Sequence, residues 1–222
     1  MLHELAFLHT SAVHIPTFEA LVQELAPGLK MHHHVDASLL AAAQQLGVAD
    51  AGVINDIQAA MQAAAASGAR IVVCTCSSIG GVAERMSGMA GWQAVRIDRA
   101  MADRAVTLGP RILLVAALET TLLPTTELLQ ESATALNKPV AISNLWVEDA
   151  WGFFQQGDSE AYRQSIASAV RRELQNNTAI DVVVLAQASM AAVALELQDL
   201  DKEVLSSPRL GVAHAIRLLQ RM

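Results

Sequence analysis

Short apolar runs alternate along the chain with longer segments whose apolar residues recur at helical spacing. The runs predict strands at residues 5–9, 30–35, 71–75, 94–97, 111–117, 139–145 and 181–186. The longer segments predict helices at residues 18–25, 53–66 and 210–219, and Asp36 is expected to cap a helix after the second strand. Buried strands that alternate with helices predict an α/β fold with a mainly parallel sheet and helices on both faces.

The chain also repeats its own pattern. The segment from residue 4 to residue 21 resembles the segment from residue 111 to residue 129. Residues 71–78 match residues 182–189 at nearly the same offset and in the same order. A duplicated α/β unit explains both matches, whereas the general likeness of α/β segments is the alternative explanation.

The duplication predicts two pseudo-symmetric parallel-sheet lobes with the active site in the cleft between them. The helix expected at residues 210–219 has no partner in the repeat, so we assign it to the first lobe. The first lobe is then expected to comprise residues 1–98 and 207–222, and the second lobe residues 99–206.

Charge and hydrophobicity narrow the classes of partner. The net charge is −7, and no basic cluster is longer than Arg171-Arg172, which argues against nucleic acid or an anionic membrane as the main partner. The apolar runs are too short to span a bilayer, and residues 1–5 do not resemble a signal peptide. Cys74 and Cys76 are too close along a strand to form a disulfide, so we expect free thiols in the cytoplasm.

Polar residues follow the predicted strands at the positions where ligands bind to parallel sheets. Ligands bind at the carboxyl ends of such strands, where hydroxyls and helix-start N–H groups can hold a carboxylate. Helix capping is the alternative role for these residues. The candidates are Thr10, Ser11, Thr120 and Thr121 after the first strand of each half, and Cys76-Ser77-Ser78 and Gln187-Ala188-Ser189 after the repeated strands.

Cys76 is the candidate for chemistry. It follows an apolar run and precedes a helix start, a location that lowers the pKa of a thiol and favours the thiolate. Cys74 lies inside the apolar strand and is expected to pack as a small hydrophobic residue.

The sequence supports no metal or cofactor. On a strand only His32 and His34 of the run at residues 32–34 would share a face, and no second cluster stands at metal-ligand spacing. Neither a dinucleotide-binding fingerprint, a P-loop nor a nucleophile-elbow motif is present. Four aromatic residues could pack in the core, line a pocket or lie at a subunit interface: Trp146, Trp151, Phe153 and Phe154. We expect the protein to form a homodimer or a higher homo-oligomer.

The chain resembles the aspartate/glutamate/hydantoin racemase superfamily over nearly its whole length. In that family each half carries a strand, a catalytic Cys and a small polar pair. Residues 68–78 are similar to the first motif, with Cys76 in the catalytic position and Ser77-Ser78 in place of the usual Asn-Thr. Residues 181–190 are similar to the second motif, where Gln187 replaces the usual Cys.

That replacement bears on the reaction that the resemblance implies. Two-base racemases place one thiol on each face of the substrate α-carbon, whereas Gln187 takes no proton at neutral pH. Single-thiol relatives decarboxylate substituted malonates through a thiol in the second motif, and two-thiol relatives isomerise maleate by covalent attack. All work without a cofactor or metal.

The resemblance therefore implies a cofactor-independent enzyme that acts at the α-carbon of a small carboxylic or amino acid. Cys76 is expected to be its base, acid or nucleophile, in an isomerase, a racemase, or a one-thiol lyase or decarboxylase. Gln187 is expected to orient the substrate or to stabilise an enolate-like oxygen. The alternative is a non-catalytic small-carboxylate binding protein that has lost the second thiol.

Overall fold

A computed structural model describes residues 4–88 and 91–222. Eight strands lie in these ranges: β1 (Leu5–His9), β2 (Met31–Val35), β3 (Ile71–Cys74), β4 (Gln93–Arg96), β5 (Arg111–Ala116), β6 (Ala141–Trp146), β7 (Val182–Leu185) and β8 (Glu203–Ser206). The helices are α1 (Ile15–Leu25), α2 (Ser38–Leu46), α3 (Ala51–Ala65), α4 (Ser77–Glu84), α5 (Arg99–Leu108), α6 (Leu122–Ala135), α7 (Ala150–Gln156), α8 (Ser159–Asn176), α9 (Val193–Glu196) and α10 (Ser207–Gln220). None of the described helices is both long enough and apolar enough to cross a membrane.

The strands form two four-stranded parallel sheets with the same connectivity. The first sheet has the order β2-β1-β3-β4 and the second has the order β6-β5-β7-β8. In each sheet the two central strands are the ones that the internal repeat pairs, because β1 corresponds to β5 and β3 to β7. The predicted α/β architecture of two parallel-sheet units is therefore confirmed.

The chain divides into two compact units. The first comprises residues 1–99 and 208–222, and the second comprises residues 100–207. In the first unit α2, α3 and α4 cover one face of the sheet around Leu8, Val72 and Ile57. Helices α1 and α10 cover the other face, where Phe7 and Phe18 are fully buried. Burial on both faces explains why the central strands are continuous apolar runs.

The second unit buries one face of its sheet under α7, α8 and α9. Leu113 and Leu185 of the sheet and Tyr162 and Ile166 of α8 belong to one hydrophobic core. Its edge strand β6 is mostly exposed, in contrast to the fully buried β7.

The predicted strands match the observed ones to within one or two residues, with one omission. Strand β8 was not predicted, because its polar ends and partly exposed positions leave no apolar run. Strand β6 starts at Ala141 rather than at Pro139, and the Ala141 N–H donates to the Pro110 carbonyl; Pro139 has no N–H to donate. Asp36 accepts from the Ser38 N–H, although Ala37 occupies the N-cap position of α2.

Candidate active site

Cys76 and Thr10 are brought together by the register of two neighbouring strands. In the parallel pair β1 and β3, Leu8 lies opposite Cys74. Two residues further along each strand, the chain reaches Thr10 and Cys76. Cys76 is the N-cap residue of α4 and keeps an extended backbone, with φ −98° and ψ 115°. The thiol therefore lies where the strand turns into the helix, as the sequence predicted.

Polar groups from two segments act on the Cys76 thiol. The Thr10 hydroxyl has the largest effect among them and favours the thiolate. The backbone N–H groups of Ile79 and Ser78 and the Ser78 hydroxyl act in the same direction. The Cys76 side chain does not form a capping hydrogen bond with α4, so these groups act on the sulfur without closing a regular cap. They form a setting that can stabilise negative charge on sulfur.

Burial outweighs these groups and raises the pKa of Cys76 above its usual value. The sequence predicted the opposite direction, from the position at a helix start. That prediction was wrong because Cys76 also packs against the hydrophobic core under α2, α3 and α4, where an ion is poorly solvated. At neutral pH the thiol is therefore predominantly protonated.

Cys74 is the structural thiol of the pair. It is fully buried, as expected for a residue inside the apolar strand, whereas Cys76 is only partly buried. Its thiol donates to the Cys76 carbonyl oxygen over 3.6 Å, and burial raises its pKa far above the usual value. Cys74 thus supports the backbone that presents Cys76.

Ser77 and Ser78 are the first two residues of α4, and both are buried, with 4% of their surface exposed. Ser11 is partly exposed beside Thr10, and its side chain does not cap the short 3₁₀ turn that follows. Of the residues predicted in the first unit, Thr10 and Ser78 act directly on the thiol.

Gln187 holds the position in the second unit that Cys76 holds in the first. It follows β7, occupies the N-cap position of the 3₁₀ turn at Ala188–Met190 and has an extended backbone, with φ −116° and ψ 143°. Its Oε1 accepts from the Ala117 N–H over 2.7 Å and from the Leu118 N–H over 3.3 Å. Only 9% of its surface is exposed. Cys76, two residues after β3, thus interacts with Thr10 just after β1. Gln187, two residues after β7, interacts in the same way with Ala117 and Leu118 just after β5.

The other predicted residues of the second unit lie close to the ends of β5 and β7. Thr120 and Thr121 belong to a 3₁₀ turn, Glu119–Thr121, a few residues beyond β5 rather than at its end. Thr121 is buried, and the buried Thr120 hydroxyl has no hydrogen-bond partner within the described ranges. Ala188 is partly exposed, and so is Ser189.

Tyr162 is a residue of this region that sequence reasoning missed. Its hydroxyl lies 2.8 Å from the Ser189 Oγ, and the side chain is buried, with 2% of its surface exposed. Burial raises the pKa of Tyr162, so the phenol is neutral. No motif links residue 162 to residue 189, and the two meet because α8 and β7 contribute to the same hydrophobic core.

Histidines occupy the opposite face of the first sheet. His9 is fully buried, its Nδ1 lies 3.0 Å from the Thr75 hydroxyl, and its Nε2 lies 2.9 Å from the His33 Nδ1. Burial lowers the pKa of His9 to about 3, so it is neutral at pH 7. Among residues 4–88 and 91–222, no three His, Cys, Asp or Glu side chains form a group able to hold a metal ion.

Comparison with known proteins identifies one family. The sequence model of the Asp/Glu/hydantoin racemases matches residues 9–215. No curated protein matches the chain significantly.

Solved structures share the fold at low sequence identity. A glutamate racemase from Bacillus anthracis is 12% identical, with a TM-score of 0.71 over 99% of this chain and 82% of that one. An aspartate racemase from Picrophilus torridus is 12% identical, with a TM-score of 0.70 over 98% and 94%. An allantoin racemase from Klebsiella pneumoniae is 18% identical, with a TM-score of 0.64 over 99% and 88%.

Proposed function

The chain belongs to the Asp/Glu/hydantoin racemase family, and on that premise we propose that it acts at the α-carbon of a small carboxylic or amino acid through one thiol, Cys76. Racemases are isomerases, so the general class of enzyme follows from the family. The single thiol, the independence of any cofactor and the type of substrate are the proposal.

One observation carries the proposal: the Cys76 thiol stands at a helix start among the polar groups of Thr10, Ser78 and Ile79. All of these groups favour negative charge on sulfur, whereas burial favours the neutral thiol. A group held between these opposing effects can exchange a proton with a bound substrate. Cys74 lacks this setting because it is enclosed in the core.

The chemistry needs one proton and no other reactant. When the Cys76 thiolate takes the α-proton, the C–H bond breaks, an S–H bond forms, and the electron pair passes into an enolate of the carboxylate. Return of the proton from sulfur restores the C–H bond on the same face. In a malonate-type acid, loss of CO₂ forms the same enolate, and the protonated thiol then supplies the proton. In the exchange reaction the S–H proton equilibrates with solvent before a proton returns to carbon, so deuterium can enter. In the decarboxylation the thiolate that is left takes a proton from solvent before the next turnover.

Efficient inversion of the α-carbon requires a second group that titrates, and Gln187 is an amide. A one-thiol isomerase or lyase therefore fits this chain better than a two-base racemase. The raised pKa of Cys76 supports this choice, because a thiol that is protonated at neutral pH is ready to donate to an enolate.

We propose that small polar groups at the carboxyl ends of the central strands bind the carboxylate. Buried hydroxyls support this role, since a hydroxyl taken out of water needs a partner. The Thr120 hydroxyl, which lacks one among the described residues, is the clearest case. The proposed binding residues are Thr10, Ser11, Ser77 and Ser78 in the first unit and Thr120, Thr121, Ala188 and Ser189 in the second.

Incubation in deuterated water tests this function. A panel of small 2-substituted acids, including amino acids and substituted malonates, is incubated with the protein and read by NMR and mass spectrometry. The proposal predicts deuterium at the α-carbon of at least one acid, either by exchange or in a decarboxylated product. Binding of an acid without deuterium incorporation or turnover would favour the second candidate function, a carboxylate-binding protein.

That second candidate rests on Gln187, which replaces a titratable thiol by an amide in an otherwise family-like chain. A binding protein would show a rise in Tm with an acid but no chemical change in it.

We also propose a cytoplasmic location, which the free thiols of Cys74 and Cys76 support. Assembly as a homodimer or higher homo-oligomer stays a prediction for light scattering.

A further inference from the structure

The Gln187 side chain is locked in one orientation. The Ala117 and Leu118 N–H groups can donate only to an acceptor, so Oε1, not the NH₂ group, must lie against them. The Nε2 group is therefore directed away from these backbone groups. Within the described part of the chain Nε2 makes no hydrogen bond, although the residue is 9% exposed. Gln187 thus presents a fixed hydrogen-bond donor at the end of β7.

The direction of the hydrogen bond between Tyr162 and Ser189 follows from burial. A buried phenol proton that lacks an acceptor costs free energy, and Ser189 Oγ is the acceptor within reach of Tyr162 among the described residues. Tyr162 therefore donates and Ser189 accepts. The Ser189 proton is then left to donate to another group.

The Tyr162 ring is held in place by its neighbours. Its centroid lies 5.4 Å from that of Phe154, which stacks on Trp151 at 4.8 Å. The hydroxyl is thus a fixed point on α8, and replacement of Tyr162 by Phe removes that hydroxyl while the ring contacts stay.

We propose that Gln187 and Ser189 form a two-donor receptor for an oxyanion, and that Tyr162 is the positioning residue that sets Ser189 as a donor. A carboxylate oxygen or an enolate oxygen accepts from such groups, whereas an ammonium group does not. The second unit would therefore bind the carboxylate rather than the amine of a substrate. This inference deepens the proposed function and rests on it for the substrate class.

Calorimetric titration with malonate tests the receptor, and malonamide serves as the neutral probe of similar size. Malonate is expected to bind at least tenfold more tightly than malonamide to the wild-type protein, since hydrogen bonds to charged groups are the stronger ones. Gln187→Glu keeps an oxygen for the Ala117 and Leu118 N–H groups but places negative charge where the NH₂ was. It is expected to weaken malonate binding at least tenfold. Unchanged affinity in this variant, or no malonate binding by the wild type, would overturn the proposal.

A double-mutant cycle tests the role of Tyr162. Tyr162→Phe and Ser189→Ala are each expected to weaken malonate binding about ten- to 100-fold, as befits the loss of one hydrogen bond to an anion. The double variant is expected to bind no more weakly than Ser189→Ala, because Tyr162 acts through Ser189. Additive losses would show that Tyr162 acts by another route and would refute its positioning role.

Deuterium exchange by the wild type, measured beside malonate binding, separates this inference from the proposed function. Normal malonate binding without any deuterium exchange by the wild type would reject the enzyme and keep the receptor. Deuterium exchange by the wild type, together with unchanged malonate binding by Gln187→Glu, would reject the receptor and keep the enzyme.

Discussion

The hydroxyl of Thr10 and the thiol of Cys76 interact because Leu8 and Cys74 are paired in the parallel register of β1 and β3. Among the polar groups that act on the thiol, Thr10 lowers its pKa most, while burial raises it above the usual value. The reactivity of Cys76 thus depends on a residue 66 positions earlier in the chain.

Replacing Thr10 by Val tests this relationship. The substitution removes the hydroxyl and keeps a side chain of similar shape, so the pKa of Cys76 should rise further. Iodoacetamide alkylation of Cys76, followed against pH, should require a more alkaline pH in Thr10→Val than in the wild type. Ser11→Ala removes the adjacent hydroxyl and is the matched control, with an unchanged profile expected. A profile that is the same in all three proteins would contradict the interaction.

The two thiols should differ in their rate of alkylation. Cys76 is partly exposed, whereas Cys74 is enclosed in the core and has a pKa far above the usual value. Iodoacetamide should therefore modify Cys76 first, as measured by peptide mass spectrometry of partly labelled native protein. Labelling of Cys74 ahead of Cys76 would show that the wrong thiol has been assigned.

Gln187→Cys should introduce racemase activity at a cost in stability. A second thiol supplies the titratable group that the amide lacks, and acid–base help of this kind is worth about 10²–10⁴-fold in rate. The Ala117 and Leu118 N–H groups lose their acceptor, which should lower the free energy of unfolding by about 1–3 kcal/mol.

Chiral chromatography on an acid that shows deuterium exchange measures the gain in racemase activity. Urea denaturation measures the loss in the free energy of unfolding. Gln187→Ala is the control, because it loses the same acceptor without gaining a thiol. Efficient racemisation by the wild type would contradict the claim that Gln187 leaves the protein without a second acid–base group.

His9 should make the protein less stable in acid. The Thr75 hydroxyl donates to the Leu8 carbonyl, so His9 Nδ1–H donates to Thr75 and His9 Nε2 accepts from His33. A proton on Nε2 would meet the His33 N–H, and His14 is a further basic neighbour. Burial lowers the pKa of His9 to about 3, whereas an unfolded chain has a value near 6.5.

The unfolded state therefore binds the His9 proton more readily between pH 6.5 and pH 3. The free energy of unfolding is therefore not reduced by His9 above pH 6.5. As the pH falls from 6.5 towards 3, His9 lowers it by up to about 1.4 kcal/mol per pH unit. Urea midpoints at pH 7, 5 and 4 should fall more steeply in the wild type than in His9→Gln, which cannot titrate. Equal slopes would show that His9 is not the group responsible.

The sequence predicts the strands that are buried on both faces, because these are apolar runs bounded by polar residues. It does not predict β8, whose ends are polar. The place of Cys76 is predictable because local order along the chain sets where a strand ends and a helix begins. The direction of its pKa shift is not, because it depends on helices that pack over the thiol from elsewhere in the chain.

The orientation of Gln187 depends on the same kind of distant contact. Its partners lie 69 and 70 residues earlier in the chain, and the register of β5 and β7 brings them together. The pair of Tyr162 and Ser189 likewise depends on the packing of α8. The sequence therefore predicts which residues stand at the strand ends, and tertiary packing decides which protons they present.

The measurement that tests the central claim most directly is deuterium exchange at the α-carbon by wild type, Cys76→Ser and Cys74→Ser, each incubated with the same acid in deuterated water. Cys74→Ser keeps a hydroxyl to donate to the Cys76 carbonyl and controls for the loss of a thiol. We predict that the wild type and Cys74→Ser incorporate deuterium and that Cys76→Ser loses at least 10²-fold in rate, on the order of one acid–base group. Exchange by Cys76→Ser at the wild-type rate would show that the reaction does not depend on this thiol.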